Sequence, residues 1–250
     1  MYRTVENENV IEQQNEELRR INAELDRFVY SASHDLRAPL MSVKGLLNII
    51  KLDTEKKNTD LYLALIEKSV GRLDNFITDI IQYSRNTRTD VEEKEIDVAT
   101  LLQESLEALR FMEGAEHVRS TLRTDIRAPF YSDPNRLLMV FNNIISNAVR
   151  YRNSTRQDSF LDVNLSVDGE RAQISFTDNG IGIPVEHQEA IFDMFFRVGS
   201  EGQGSGLGLY IVKDAVTRLH GTVSVQSAPG KGTTFTVEIP NQLGQARLQA

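Results

Sequence analysis

Residues Ser31 to Leu40 read SASHDLRAPL, a histidine followed at once by an acid and, five residues on, by a proline. Imidazole is nucleophilic at neutral pH, and a proline weakens the helical turn around it, so His34 reads as a side chain offered to a visiting reagent. The second cluster able to do chemistry is glycine-rich, for ten of the 15 glycines lie between Gly180 and Gly232. A Walker loop fails there, because Gly230-Lys231 is followed by Gly232 instead of Ser or Thr and Val225 holds the upstream glycine position. A dinucleotide fingerprint fails too, since Gly204 and Gly206 are followed by Leu209 where the third glycine should stand. What remains is Asp178-Asn179-Gly180-Ile181-Gly182 and a run from Gly202 to Leu209 that enters an apolar helix. Backbone N–H groups at a helix start receive phosphate, and glycines let a ligand come close.

The elements that must position these residues are legible in the hydrophobic spacing. Ile11, Leu18, Ile21 and Leu25 step by three, four or seven through polar residues, a coiled-coil seam that implies a dimer. The stripe continues as Val29, Ala32, Leu36, Leu40, Val43, Leu47 and Ile50, with consecutive four-residue steps at 21–25–29 that locally unwind a coiled coil. On that phase His34 points away from the seam, about 200° round from Ala32 and Leu36, and should face solvent. Polar residues 53–60 break the pattern, and a second amphipathic run extends from Leu61 to about Ser84. Two such helices make an antiparallel hairpin, and two hairpins a four-helix bundle. The charged stretch from Arg85 to Glu95 reads as a linker that absorbs hinge motion.

Beyond it, Asp97 and the Asp133-Pro134 pair are helix starts, and alternation at Leu161–Val167, Ala172–Phe176, Thr222–Gln226 and Thr233–Ile239 predicts strands. The fold class is therefore α plus α/β in two domains. Residues 1–28 form a coiled-coil helix, 29–86 the hairpin, 87–96 the linker, 97–240 an α/β sandwich with a mostly antiparallel sheet, and 241–250 a tail.

A formal charge of −8 argues against a nucleic-acid surface and, weakly, against an anionic membrane. The absence of cysteine excludes disulfides and thiolate metal sites, and His34, His117, His187 and His220 form no ligand pair. No run of about 18 apolar residues could span a bilayer.

The order of HDLRAPL, NNIISNAVRY, DNGIGI, FDMFFR, GSGLGL and GKGTTF resembles the sensor histidine kinases of two-component systems, from about Asn15 to Pro240. The resemblance implies that His34 takes the γ-phosphoryl group of ATP and that Asp35 polarises the imidazole and acts as base. By the same resemblance, Asn147 is expected to bind Mg²⁺ through its side-chain oxygen. Asn143 lies one turn earlier on the same face, a nucleotide residue by resemblance, though it could instead satisfy backbone. Asp178 reads adenine; Gly180 and Gly182 let the nucleotide approach. Arg150 and Tyr151 stand where relatives carry Lys and an aromatic. Arg197 neutralises γ-phosphate charge, and Ser205, Gly206, Leu207 and Gly208 lie beneath the phosphates after a short lid over Val198–Gln203. The phosphoryl group then passes to an aspartate of a separate receiver domain, in a cytoplasmic homodimer whose upstream sensor domain lies outside this chain.

One position departs from the pattern. Four residues after the histidine, where relatives commonly have Thr or Asn to orient a hydrolytic water, this chain has Ala38. A methyl group holds no water, so strong kinase and weak phosphatase activity are expected. Two rivals remain: a non-catalytic nucleotide-binding scaffold, and a clamp-like ATPase, against which the His34 hairpin argues.

Overall fold

The computed structural model describes residues 2–52, 58–199 and 204–242. The chain divides into two compact units, Met1–Ile77 and Thr78–Ala250.

In the first unit, helix α1 spans Tyr2–Leu52 without interruption and carries Pro39 inside it. Helix α2, Thr59–Arg88, begins after the predicted polar break, whose residues 53–57 lie outside the described residues. The two form the predicted helical hairpin, with Ala32 and Phe76 as its buried apolar residues. Of the seam positions, the side chains of Ile11 and Ile21 lie outside the described residues, while Leu18 and Leu25 are exposed in the single chain. None of the described helices is long and apolar enough to cross a membrane.

The second unit begins inside α2. Its strands are β1 (Lys94–Ile96), β2 (Val118–Ile126), β3 (Phe130–Ser132), β4 (Ser159–Val167), β5 (Arg171–Asp178), β6 (Thr222–Ala228) and β7 (Gly232–Pro240). Its other helices are α3 (Val98–Leu109), α4 (Pro134–Arg150) and α5 (Gly208–Arg218). The main sheet runs β2-β4-β5-β7-β6, antiparallel except for the β2–β4 pair, and β1 pairs with β3 in a separate ribbon. Period-two alternation turns Leu161, Val163, Leu165, Ala172, Ile174, Phe176, Val237 and Ile239 inward, where Leu102, Phe141, Ile145, Val212 and Val216 of the three helices meet them in one core.

Both predicted helix starts carry their caps. Asp97 accepts the Thr100 N–H at 3.1 Å, and Asp133 accepts those of Asn135 and Arg136 at 2.9 and 3.1 Å, with Pro134 in the first turn. The span read as a linker is built differently from a tether, because α2 continues to Arg88 and β1 occupies Lys94–Ile96. Arg136, remote in sequence, satisfies the carbonyls there, which composition alone could not announce.

Candidate functional site

On α1, His34 stands 72 % exposed with its Nδ1 3.1 Å from Oδ1 of Asp35, which is itself only 13 % exposed. An ionised carboxylate can only accept, so with Asp35 ionised this contact has Nδ1 as the donor, and in the neutral ring the lone pair is on Nε2. The helix phase that buries Ala32 is the one that turns His34 outward.

In the second unit, Asp178 closes β5, in register with Leu161 of β4 and Thr233 of β7. Burial pushes its carboxyl up to about 6, against the opposing pull of the Gly180 and Thr233 N–H groups. The Gly180 N–H donates to Oδ1 at 2.8 Å. A Cβ on Gly180 would lie 2.5 Å from the Tyr151 carbonyl oxygen and 2.9 Å from Asp178 Oδ1, so only glycine lets this turn close onto the end of α4. The Ile181 N–H binds the same Tyr151 oxygen at 3.0 Å. Gly182 takes a left-handed φ of 71° against Ala228, away from the Gly180–Tyr151 contact.

Helix α4 supplies three of the predicted residues, Asn143, Asn147 and Arg150, and its C-cap is a fourth, Tyr151. Asn143 donates to the Met139 carbonyl at 2.9 Å while its Oδ1 faces Gly208, whose Cβ would come within 2.8 Å of it. Asn147, one turn on, has no side-chain hydrogen bond among the described residues. Arg150 reaches Gly204, where a Cβ would stand 3.1 Å from Nη1 and 3.9 Å from the Tyr151 hydroxyl. Burial raises the Tyr151 phenol, with the positive charges of Arg150 and Arg197 opposing. Arg197 Nη1 donates to the Gly204 carbonyl at 3.2 Å.

The glycine run then meets the start of α5. Ser205 Oγ accepts the Leu207 N–H at 3.1 Å, Leu207 is buried, and Phe195 N–H binds the Gly206 carbonyl at 3.0 Å. Of the lid, residues 200–203 lie outside the described residues. The structure thus gathers Asn143, Arg150, Tyr151, Asp178, Gly180, Arg197, Ser205 and Gly208 around the junction of α4, β5 and α5. His34 and Asp35 belong to the other unit.

Three residues here escaped the sequence reading. Asn179 is 6 % exposed and accepts the Phe160 N–H while donating to the Asp158 carbonyl, both at 2.9 Å, which holds the turn beside Asp178. Thr233, also buried, sits opposite Asp178 in the ladder, and Ser227 Oγ lies 2.9 Å from its hydroxyl. The GKGTTF box was the available signal for it. Asp79 of α2 accepts a short hydrogen bond from the Ser205 hydroxyl, and burial raises its carboxyl while Ser205 and Arg150 oppose. It had no signal, because nothing in its spacing along α2 singled it out.

The family described as Histidine kinase-, DNA gyrase B-, and HSP90-like ATPase matches residues 132–243, and the His Kinase A (phospho-acceptor) domain matches residues 24–89. The chain is 28 % identical over 225 residues to the methanogenesis regulatory histidine kinase FilI of Methanothrix harundinacea, covering 88 % of this chain and 25 % of that one. It is 32 % identical over 234 residues to cyanobacterial phytochrome B of Nostoc sp., covering 89 % and 30 %. It therefore spans about a quarter to a third of those relatives. In fold it is similar to histidine kinase ThkA, solved in complex with the response regulator protein TrrA, at a TM-score of 0.69 and 21 % identity, over 91 % of this chain and 65 % of that one.

Proposed function

Since the chain belongs to the sensor histidine kinases of two-component systems, we propose that it phosphorylates itself on His34 from ATP and passes the group to an aspartate of a response-regulator receiver domain. The observation that carries this reading is the exposed His34 with its Nδ1 hydrogen-bonded to Asp35. The bond leaves Nε2 as nucleophile; as Nε2 bonds to the γ-phosphorus, the bond from that phosphorus to the β,γ-bridging oxygen breaks and ADP leaves, while the imidazolium charge is offset by the adjacent carboxylate, which takes the Nδ1 proton.

In the nucleotide domain, Asp178 accepts the exocyclic amino group of adenine. The close approach of Gly180 to Tyr151 O supports this, because it leaves the carboxylate lining a turn without a side chain in the way. Hydrogen bonding to a charged group is worth about 1.5–3 kcal/mol, enough to favour adenine over guanine. Arg150, Tyr151 and the turn from Ser205 through Gly208 hold the phosphates, and Gly182 shapes the loop beneath the base. Arg197 neutralises charge developing on the γ-phosphate. The uncommitted amide of Asn147 is a hard oxygen donor that fits Mg²⁺, with Asn143 beside it. When bound, the ion would supply charge neutralisation between phosphates.

The exposed Leu18 and Leu25 support a homodimer in which this stripe is buried in a coiled coil, ahead of the four-helix bundle made by two α1–α2 hairpins. ATP as donor fits a cytoplasmic setting. Ala38, one turn after His34, offers no hydrogen bond to a hydrolytic water, so phosphatase activity is weak.

The test is to incubate the chain with Mg²⁺ and ATP labelled at the γ or the α position, then to add a receiver domain. Acid-labile, alkali-stable label from γ-labelled ATP alone, moving to the receiver, is the expected result. Phosphate release without labelling of the chain would refute the reading in favour of a clamp-like ATPase, and binding without turnover in favour of a scaffold.

A further inference from the structure

Asp133 and Arg136 form a buried ion pair between the ends of two helices. Asp133 faces α4, accepting the N–H groups of Asn135 and Arg136, and its Oδ2 also takes the Glu92 N–H at 3.2 Å. Arg136 faces the other way. Its Nη2 donates to the carbonyls of Asn86 and Thr89 at 3.1 and 2.6 Å, and its Nη1 to that of Asp90 at 3.2 Å. These carbonyls belong to the end of α2 and the residues just past it, where a helix has no donors of its own left to offer. The pair thus sets a negative group at the positive end of α4 and a positive group at the negative end of α2, a placement both helix dipoles favour. Nearby, Asn86 donates to Asp214 of α5 at 2.7 Å, and Asp214 also accepts from Arg218 at 3.1 Å.

Stability alone does not account for this joint. Desolvation offsets much of the attraction in a buried ion pair, and apolar packing of equal volume is often as good. Among the described residues, the buried side-chain polar atoms without a partner are Asn86 Oδ1, Ser132 Oγ and Arg136 Nε, on residues of this joint or directly beside it. What a multiply bonded guanidinium supplies instead is direction. Helix α4 runs on from this point for 14 residues to Arg150, about 21 Å, past Asn143 and Asn147.

We propose that Arg136 is a positioning residue for phosphoryl transfer, fastening the C-terminal end of α2 to the start of α4 so that the last turns of α2 orient the nucleotide-holding helix. This rests on the reading of α4 given above. The 85–95 stretch is thereby gripped by Asp133 and Arg136.

The full chain tests it with Arg136→Ala, Arg136→Lys and the pair Thr87→Gly/Arg88→Gly, which loosens the last turn of α2 at two exposed positions and leaves Arg136 in place. A fluorescent ATP analogue gives nucleotide affinity, thermal unfolding gives the midpoint, and γ-labelled ATP at saturation gives the rate on His34. The expected pattern is affinity within about twofold of the parent in all three, with rates lower by about tenfold or more in Arg136→Ala and the glycine pair. Arg136→Lys keeps the charge, but three donors on one nitrogen cannot meet three carbonyls and the Asp133 carboxylate together, so it should rescue only in part. A parental rate in the glycine pair, or losses that merely follow affinity or midpoint, would overturn the proposal. If Arg136→Ala does not fold, the glycine pair decides. A parent chain that binds no nucleotide or labels no histidine would refute the proposed function instead.

Discussion

Nδ1 of His34 stands 3.1 Å from Oδ1 of Asp35 on an exposed face of α1. Two consecutive residues of a helix diverge by about 100°, so this contact is one that the pair makes by bending toward each other across the turn. It is the source of the tautomer on which the nucleophile depends. Asp35→Asn keeps the shape and removes the charge, and it should lower the phosphorylation rate of His34 by about 100-fold or more at unchanged nucleotide affinity. Single-turnover labelling beside a nucleotide titration measures both, and a parental rate would deny Asp35 its role.

Asp178 predicts a pH dependence with a definite sign. Its carboxyl is raised to about 6 in the folded chain by burial. A group with a raised folded value favours the folded state as it takes up its proton. The destabilisation from burying its charge is thus fully present above about pH 6 and is relieved as pH falls toward the unfolded value of 3.8. Adenine needs the ionised form as acceptor, so nucleotide affinity should fall as pH drops through 6 while the nucleotide-free chain gains stability from this group. Calorimetric titration from pH 7.5 to about 5 measures the first effect. Asp178→Asn should lose about 10- to 100-fold in affinity and flatten the profile; an unchanged profile would contradict the assignment.

Gly180→Ala should be costly at a site with no long side chain to lose. Its Cβ would stand 2.5 Å from Tyr151 O, a backbone atom that can yield only by displacing the end of α4. A loss of about 1–3 kcal/mol in denaturant unfolding, together with weaker nucleotide binding, is expected. A fully stable variant with parental affinity would remove the close approach from the account.

Ala38→Thr restores a hydroxyl one turn beyond the histidine. Dephosphorylation of a phosphorylated receiver should be slow with the parent chain and faster with the variant, at similar rates of His34 labelling. Efficient dephosphorylation by the parent would show that Ala38 is no impediment.

The sequence made some of this legible because local chemistry dictated it. The His34–Asp35 pair, the Asp133-Pro134 helix start and the strands of β4, β5 and β7 each follow from neighbours or from a period of two or 3.6. Strand β2 was hidden: Val118–Ile126 is an edge strand exposed along most of its length and lacks the alternation that marked the others. The charged stretch after Arg85 looked like a tether because its partners are remote in sequence: Arg136, about 50 residues away, donates to its backbone carbonyls, and Asp133 accepts the Glu92 N–H. Asp79 was invisible for the same reason, and Asn179 stood inside the DNGIGI box without a role, since burial and distant partners, not spacing, set what each does.

The most direct measurement is the labelling of the chain and its His34→Gln variant with γ-labelled ATP and Mg²⁺, run beside a nucleotide titration of both. The account predicts acid-labile, alkali-stable label on the parent and none on the variant, with nucleotide affinity the same in the two. Label that survives in His34→Gln, at that same affinity, would contradict it.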